Sequence, residues 1–152
     1  MKRCLLWISL LTVAVMPLCA QHLSSPRLRF DEAGRARYNL VISTPKASLT
    51  GICLLRSTND SIVGSVVNEF GIKAFDFIFT ARRQQVKLRN VAFFLDKWYI
   101  RRVVRSDLRY LLSARRKASS RKSLSGSADS TLVLTNKRHR MEYTFTPLRQ
   151  LK

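Results

Sequence analysis

Residues able to do covalent or metal chemistry are few and scattered in this chain. Its 152 positions hold two histidines, His22 and His139, and three cysteines, Cys4, Cys19 and Cys53. A bound transition metal needs closely spaced ligands such as CxxC or HxxxH, and neither spacing occurs. No glycine loop for phosphate, no nucleophile elbow and no paired-carboxylate motif is present. A Ser-His-Asp assembly would have to be drawn from distant positions, and nothing in the sequence points to one. The expectation is a protein that is not an enzyme and carries no cofactor or metal. What the chain has in excess is positive charge: 28 Lys plus Arg against 9 Asp plus Glu, a formal +19. Such a balance predicts attraction to phosphate-rich surfaces, either nucleic acid or anionic lipid headgroups. Charge alone does not separate the two, and a compositional bias produces the same count.

Part of this charge has a definite address. From Asp96, whose short side chain suits an N-cap, the chain reads as a helix. At about 100° per residue, Ile100, Val103, Val104, Leu108 and Leu111 fall on one arc, with Arg101, Arg102, Arg105 and Arg109 on the other. The helix is amphipathic, with an apolar stripe for a sheet and an Arg ladder for solvent. Asp107 breaks the pattern by falling among the apolar positions. A carboxylate there must be hydrogen-bonded or paired with an Arg, and it reads as a pin fastening the helix to the sheet. Residues 113–129 follow as a basic loop with Arg115, Arg116 and Lys117, six serines and no apolar period, the composition of a mobile segment. Arg101, Arg105, Arg109, Arg115, Arg116 and Lys117 are the candidates for contact with an anionic surface.

The N-terminus has the three parts of a secretory signal. Lys2 and Arg3 are basic, Leu5 to Met16 is apolar except for Ser9 and Thr12, and Leu18-Cys19-Ala20 ends it. Cleavage is expected after Ala20. Lipidation at Cys19 is disfavoured, because a lipobox needs a small residue before the cysteine and Leu18 stands there. The apolar run is also shorter than the roughly 20 residues that cross a bilayer. The mature chain then keeps Cys53 alone, without an internal disulfide, as a buried structural thiol. The expected location is the periplasm or the outer membrane.

Residues 21–37 read as a flexible lead-in, and 38–147 as one domain. Tyr38–Ser43, Leu49–Ser57, Ser61–Phe70, Ile72–Thr80 and Val86–Val91 read as strands from their alternation and the turn residues between them. Thr131–Thr135 and Arg140–Thr146 close the chain as a hairpin. Gly64, inside a strand, marks a bulge or bend. Phe75, Phe77 and Phe79 share one face at period two, as do Met141, Tyr143 and Phe145 later in the chain. Three large rings on one face require an apolar partner, either the domain's own core or an acyl chain in a cavity. Asp76 points to the opposite face, placed to pair with Lys or Arg across a strand.

Leu49-Thr50-Gly51, Asn68-Glu69-Phe70-Gly71, Phe75-Asp76-Phe77 and the helix reaching Asp107-Leu108 resemble a group of small exported proteins of Gram-negative bacteria. Their strand order and helix in turn resemble the LolA/LolB-like lipoprotein-carrier fold. The resemblance implies an α+β protein: a curved antiparallel sheet forming an incomplete, half-open barrel, with one main amphipathic helix packed on its concave side. It also implies an apolar interior receiving a lipid or lipoprotein acyl chain, with Phe75, Phe77, Phe79, Leu88, Tyr143 and Phe145 as ligand-facing candidates. The other expectation is a non-catalytic envelope module docking an acidic protein partner through the Arg-rich helix and loop. Nucleic acid is disfavoured by export and by the lack of solvent-facing aromatics interleaved with the basic residues.

Overall fold

A computed structural model describes residues 27–114, 119–126 and 130–148. The segment expected to be a secretory signal, the expected cleavage point after Ala20 and Cys19 lie outside the described residues. Alternating apolar and polar side chains set eight strands in one antiparallel sheet: β1 (Arg35–Ser43), β2 (Ser48–Ser57), β3 (Ser61–Asn68), β4 (Lys73–Thr80), β5 (Gln85–Arg89), β6 (Lys122–Gly126), β7 (Leu132–Asn136) and β8 (Met141–Pro147). Among the described residues the one α-helix, α1 (Trp98–Leu112), lies between β5 and β6 and is preceded by a 3-10 turn over Phe93–Leu95. In space the order is β5-β4-β3-β2-β1-β8-β7-β6. The chain is therefore an α+β half-barrel, made of a five-strand meander and a three-strand meander joined along the β1–β8 ladder.

Two glycines on the sheet let neighbouring groups approach closely. Gly64 of β3 stands opposite Phe77 of β4, and the Phe77 ring lies where a side chain at Gly64 would be. The irregularity expected at Gly64 falls two residues later. Val66 pairs with Phe75 and Val67 with Lys73, leaving Ala74 as the extra residue, which bends the strand and adds twist. Gly51 plays a similar part on β2, where the backbone of Val67 and Asn68 occupies the space of a Cβ.

The concave face is filled along most of its length. Tyr38, Leu40, Cys53, Leu55, Val66, Phe77, Phe79, Leu132, Leu134, Tyr143 and Phe145 are buried in one cluster with Val104, Leu108 and Leu111 of α1. Each such side chain contributes roughly 1.5–3 kcal/mol by leaving water. The helix spans the gap between the two free sheet edges. It packs against β5, and the Tyr110 hydroxyl donates to the Lys122 carbonyl of β6 at 3.3 Å.

Four expectations need correction. The lead-in is ordered from residue 27 onward: Leu28 and Phe30 pack against the core, and the backbone N–H of Arg29 donates to the Tyr38 hydroxyl at 2.7 Å. The regular strand begins at Arg35 rather than Tyr38. The segment read as a mobile loop, 113–129, contains β6, whose ladder with β7 runs from Lys122↔Asn136 to Gly126↔Leu132. Asp96 does not cap α1. The N-cap is Lys97, without a side-chain cap bond, and Asp96 instead accepts from Arg101 Nη1 at 2.8 Å.

Candidate functional site

Asp107 is fully buried. Its Oδ1 accepts from Asn136 Nδ2 at 2.7 Å and lies 2.7 Å from the Lys122 ammonium. Its Oδ2 accepts from the Tyr143 hydroxyl at 3.0 Å. Lys122 also donates to Ser106 Oγ at 2.8 Å. One carboxylate thus ties α1 to β6, β7 and β8, and its cation is Lys122 rather than an arginine. Burial and the neighbouring Asp107 charge push the Tyr143 hydroxyl well above the ordinary tyrosine range, so it remains a proton donor to Asp107. All the oxygens are used, and the cluster fastens the helix rather than presenting a reactive atom.

The ligand-facing candidates separate into two groups. Phe77, Phe79, Tyr143 and Phe145 are buried in the filled core and face their own neighbours; Phe145, for example, meets Tyr38 edge-on at 6.1 Å between ring centroids. None of these four lines the opening that the other two border. Phe75 and Leu88 do line an opening, an apolar cleft of about 550 Å³ at one end of the half-barrel. Ile42, Leu49, Val91, Leu95, Ile100, Val104 and Met141 also line it, together with Lys46, Arg101 and His139. Its lining is drawn from the β1–β2 turn, β4 and β5, the 3-10 turn, the first half of α1 and the start of β8.

Beside this mouth stand residues that sequence reasoning did not single out. Phe93 is 90% exposed and Trp98 75%, with Phe94 and Tyr99 also more than half exposed. Trp98 and Tyr99 meet edge to face at 6.1 Å, and the Lys97 ammonium lies 5.8 Å from the centre of the Phe93 ring. Phe94 and Tyr99 line the cleft itself. Solvent-facing aromatics are therefore interleaved with Lys97, Arg101 and Arg102, which removes one of the two grounds for disfavouring nucleic acid. The available signal was an aromatic-rich run continuing past the end of β5, where neither strand alternation nor the helical stripe buries it.

The basic residues also divide. Arg101 is engaged with Asp96 and lines the cleft. Arg102, Arg105 and Arg109 of α1, with Ser106, line a second groove of about 740 Å³, where Gln85, Lys87 and Arg89 of the edge strand β5 supply the other side. Arg115, Arg116 and Lys117 lie outside the described residues. Among the described residues no group of three or more His, Cys, Asp or Glu is placed to hold a metal ion, and no helix is long and apolar enough to cross a membrane.

Elsewhere, Cys53 is buried, and burial pushes its thiol up to about 12, so it is not a nucleophile at neutral pH. On the convex face, Asp76 meets Ser65 Oγ at 2.7 Å, Asn90 Nδ2 at 2.6 Å and Lys73 Nζ at 3.1 Å. Its cation is thus on its own strand rather than across the sheet. Burial works to raise this carboxyl, but the bonds from Asn90, Ser65 and Lys73 outweigh it and hold the group below its ordinary value. No protein-family model matches the chain, and no curated protein matches it.

Proposed function

We propose that this is an exported envelope protein that takes an acyl chain, or an apolar ligand of similar shape, into the cleft at the mouth of the half-barrel, with that mouth turned to an anionic membrane. The observation that carries the reading is the conjunction at one end of the molecule. A cleft of about 550 Å³ lined by apolar side chains opens beside Phe93, Phe94, Trp98 and Tyr99, all exposed. Its volume falls within the range of small-molecule sites. Exposed Trp and Tyr with flanking Lys and Arg suit the headgroup layer of a bilayer, where an aromatic ring keeps one side apolar and one side wet. A contiguous exposed apolar patch on a protein of formal charge +19 calls for a partner that is both apolar and anionic. Nucleic acid meets the second requirement, but it leaves the apolar cleft without a role.

The test uses delipidated protein, a fluorescent acyl-chain probe, and vesicles of phosphatidylcholine with or without phosphatidylglycerol. The expected result is saturable probe uptake and sedimentation with the phosphatidylglycerol vesicles. Phe93→Ala combined with Trp98→Ala weakens the sedimentation while the unfolding midpoint is unchanged. Absence of both uptake and sedimentation at physiological salt sinks the reading.

A second reading is favoured by a separate observation. The centre of the half-barrel is filled by Phe77, Leu134, Tyr143 and Phe145, each at most 1% exposed, as a protein without a ligand requires. On that reading the chain is a non-catalytic envelope module that docks an acidic protein through Arg105, Arg109 and their neighbours. Cross-linking to an acidic partner that is lost in Arg105→Gln/Arg109→Gln, with no acyl uptake, is its distinguishing outcome.

A further inference from the structure

The apolar cleft and the basic groove are not separate features. Leu88 lines both of them. Leu88 is the next-to-last residue of β5; on the α1 side the cleft is lined by Ile100 and Val104 and the groove by Arg102 and Arg105. Leu88 is the one residue the two linings share; the cleft side is mostly apolar, with Lys46 and Arg101 also in it, and the groove side carries five cations.

The cationic side has no acidic residue in its lining, and of its cations only Arg89 has a carboxylate opposite it, Asp76 in the β4–β5 ladder. Lys87, Arg89, Arg102, Arg105 and Arg109 all line the groove. Among the described residues the four salt bridges involve Lys73, Arg82, Arg101 and Lys122 as cations, none of these five. Five like charges around one groove repel one another, and an anion seated among them relieves that repulsion. Arginine side chains present paired N–H donors that match phosphate oxygens, and Gln85 and Ser106 add neutral polar groups on the same walls. A carboxylate offers two oxygens to such a site, whereas a phosphate monoester offers three and up to two charges.

We infer that the ligand is a single phosphate-bearing amphiphile, with its acyl chain in the cleft, its phosphate in the groove between β5 and α1, and the junction of the two lying against Leu88. This rests on the acyl-chain reading above and specifies its ligand class. The phosphate belongs to the lipid's own headgroup. Free phosphate in an independent groove is the competing source.

Competition against the fluorescent acyl probe tests this, using lysophosphatidic acid, monoacylglycerol of the same chain length, and glycerol 3-phosphate. The expected result is that lysophosphatidic acid binds at least about tenfold more tightly than monoacylglycerol, a difference of about 1.4 kcal/mol. Glycerol 3-phosphate displaces nothing at the same concentration. In Arg105→Gln/Arg109→Gln, whose side chains are exposed, the ratio between the two lipids falls toward one, with circular dichroism showing the fold retained. Equal affinity for the two lipids in the unaltered protein overturns the inference while leaving the acyl-chain reading standing. So does a preference that survives in the double variant. Binding of glycerol 3-phosphate as tight as that of lysophosphatidic acid assigns the groove to free phosphate and also overturns it. Failure of both lipids to displace the probe overturns the acyl-chain reading, and this one with it.

Discussion

Asp107 holds three donors on two oxygens in the interior, so its removal leaves more than a missing bond. Asp107→Ala strands the Lys122 ammonium, whose side chain is only 15% exposed, along with the Asn136 amide and the Tyr143 hydroxyl. Breaking one partner of a buried pair costs about 3 kcal/mol or more, and that loss is expected in urea unfolding. Asp107→Leu with Lys122→Met recovers much of it, because an apolar pair leaves no charge unpaired. If the double variant is as unstable as the single, the ion pair is not the source of the cost. Asp76 behaves differently because its folded value is depressed. Its contribution is present above the ordinary carboxylate range and is lost as pH falls through the lowered folded value. Melting curves of the unaltered protein and Asp76→Asn are therefore expected to differ at neutral pH and converge in acid; a gap that persists in acid rules out protonation of Asp76 as its cause. At this scale the sequence revealed that Asp107 needed a partner, since its helical angle placed it among apolar side chains. Which partner was hidden, because Lys122 follows in a Ser- and Lys-rich segment with no periodic signal.

Among the elements, the pairing of β3 with β4 rests on a ring lying over a glycine. Gly64→Ala places a methyl group where the Phe77 ring now lies, and the overpacking is expected to cost about 1–3 kcal/mol. Gly64→Ala combined with Phe77→Leu should cost less than the sum of the two changes, measured as a double-mutant cycle. Strict additivity means the ring and the glycine do not interact. The first five strands were legible because apolar residues alternate along each and turn residues separate them. β6 was not legible. Of Lys122–Gly126, only Leu124 is apolar, and the strand is held by its ladder with β7 and by Lys122 reaching Asp107, both long-range. The start of α1 was misplaced for a related reason: Asp96 has the right chemistry for a cap, but Arg101 competes for its carboxylate and wins.

For the whole molecule, charge and apolar exposure act together on any surface it meets. Binding to phosphatidylglycerol vesicles is expected to weaken as salt rises from about 0.1 M to about 1 M, where the screening length falls from roughly 10 to 3 Å. A remainder persists at high salt and disappears in the Phe93→Ala/Trp98→Ala variant. Binding that ignores salt excludes the basic face as a participant. The concave face was legible as apolar from Phe75, Phe77 and Phe79, but whether it stood open was not, since openness depends on how α1 and β8 close over it. The order in which those parts come together has its own consequence. The β1–β8 ladder joins positions about a hundred residues apart, whereas the neighbouring strands of each meander are local, and distant pairings form late. β1 through β5 therefore zip first, and until β8 arrives β1 presents a bare row of amide and carbonyl groups beside an uncovered apolar face. Such an edge is a template for pairing with another chain, so the hazard in this protein's life is the interval before its last strands dock.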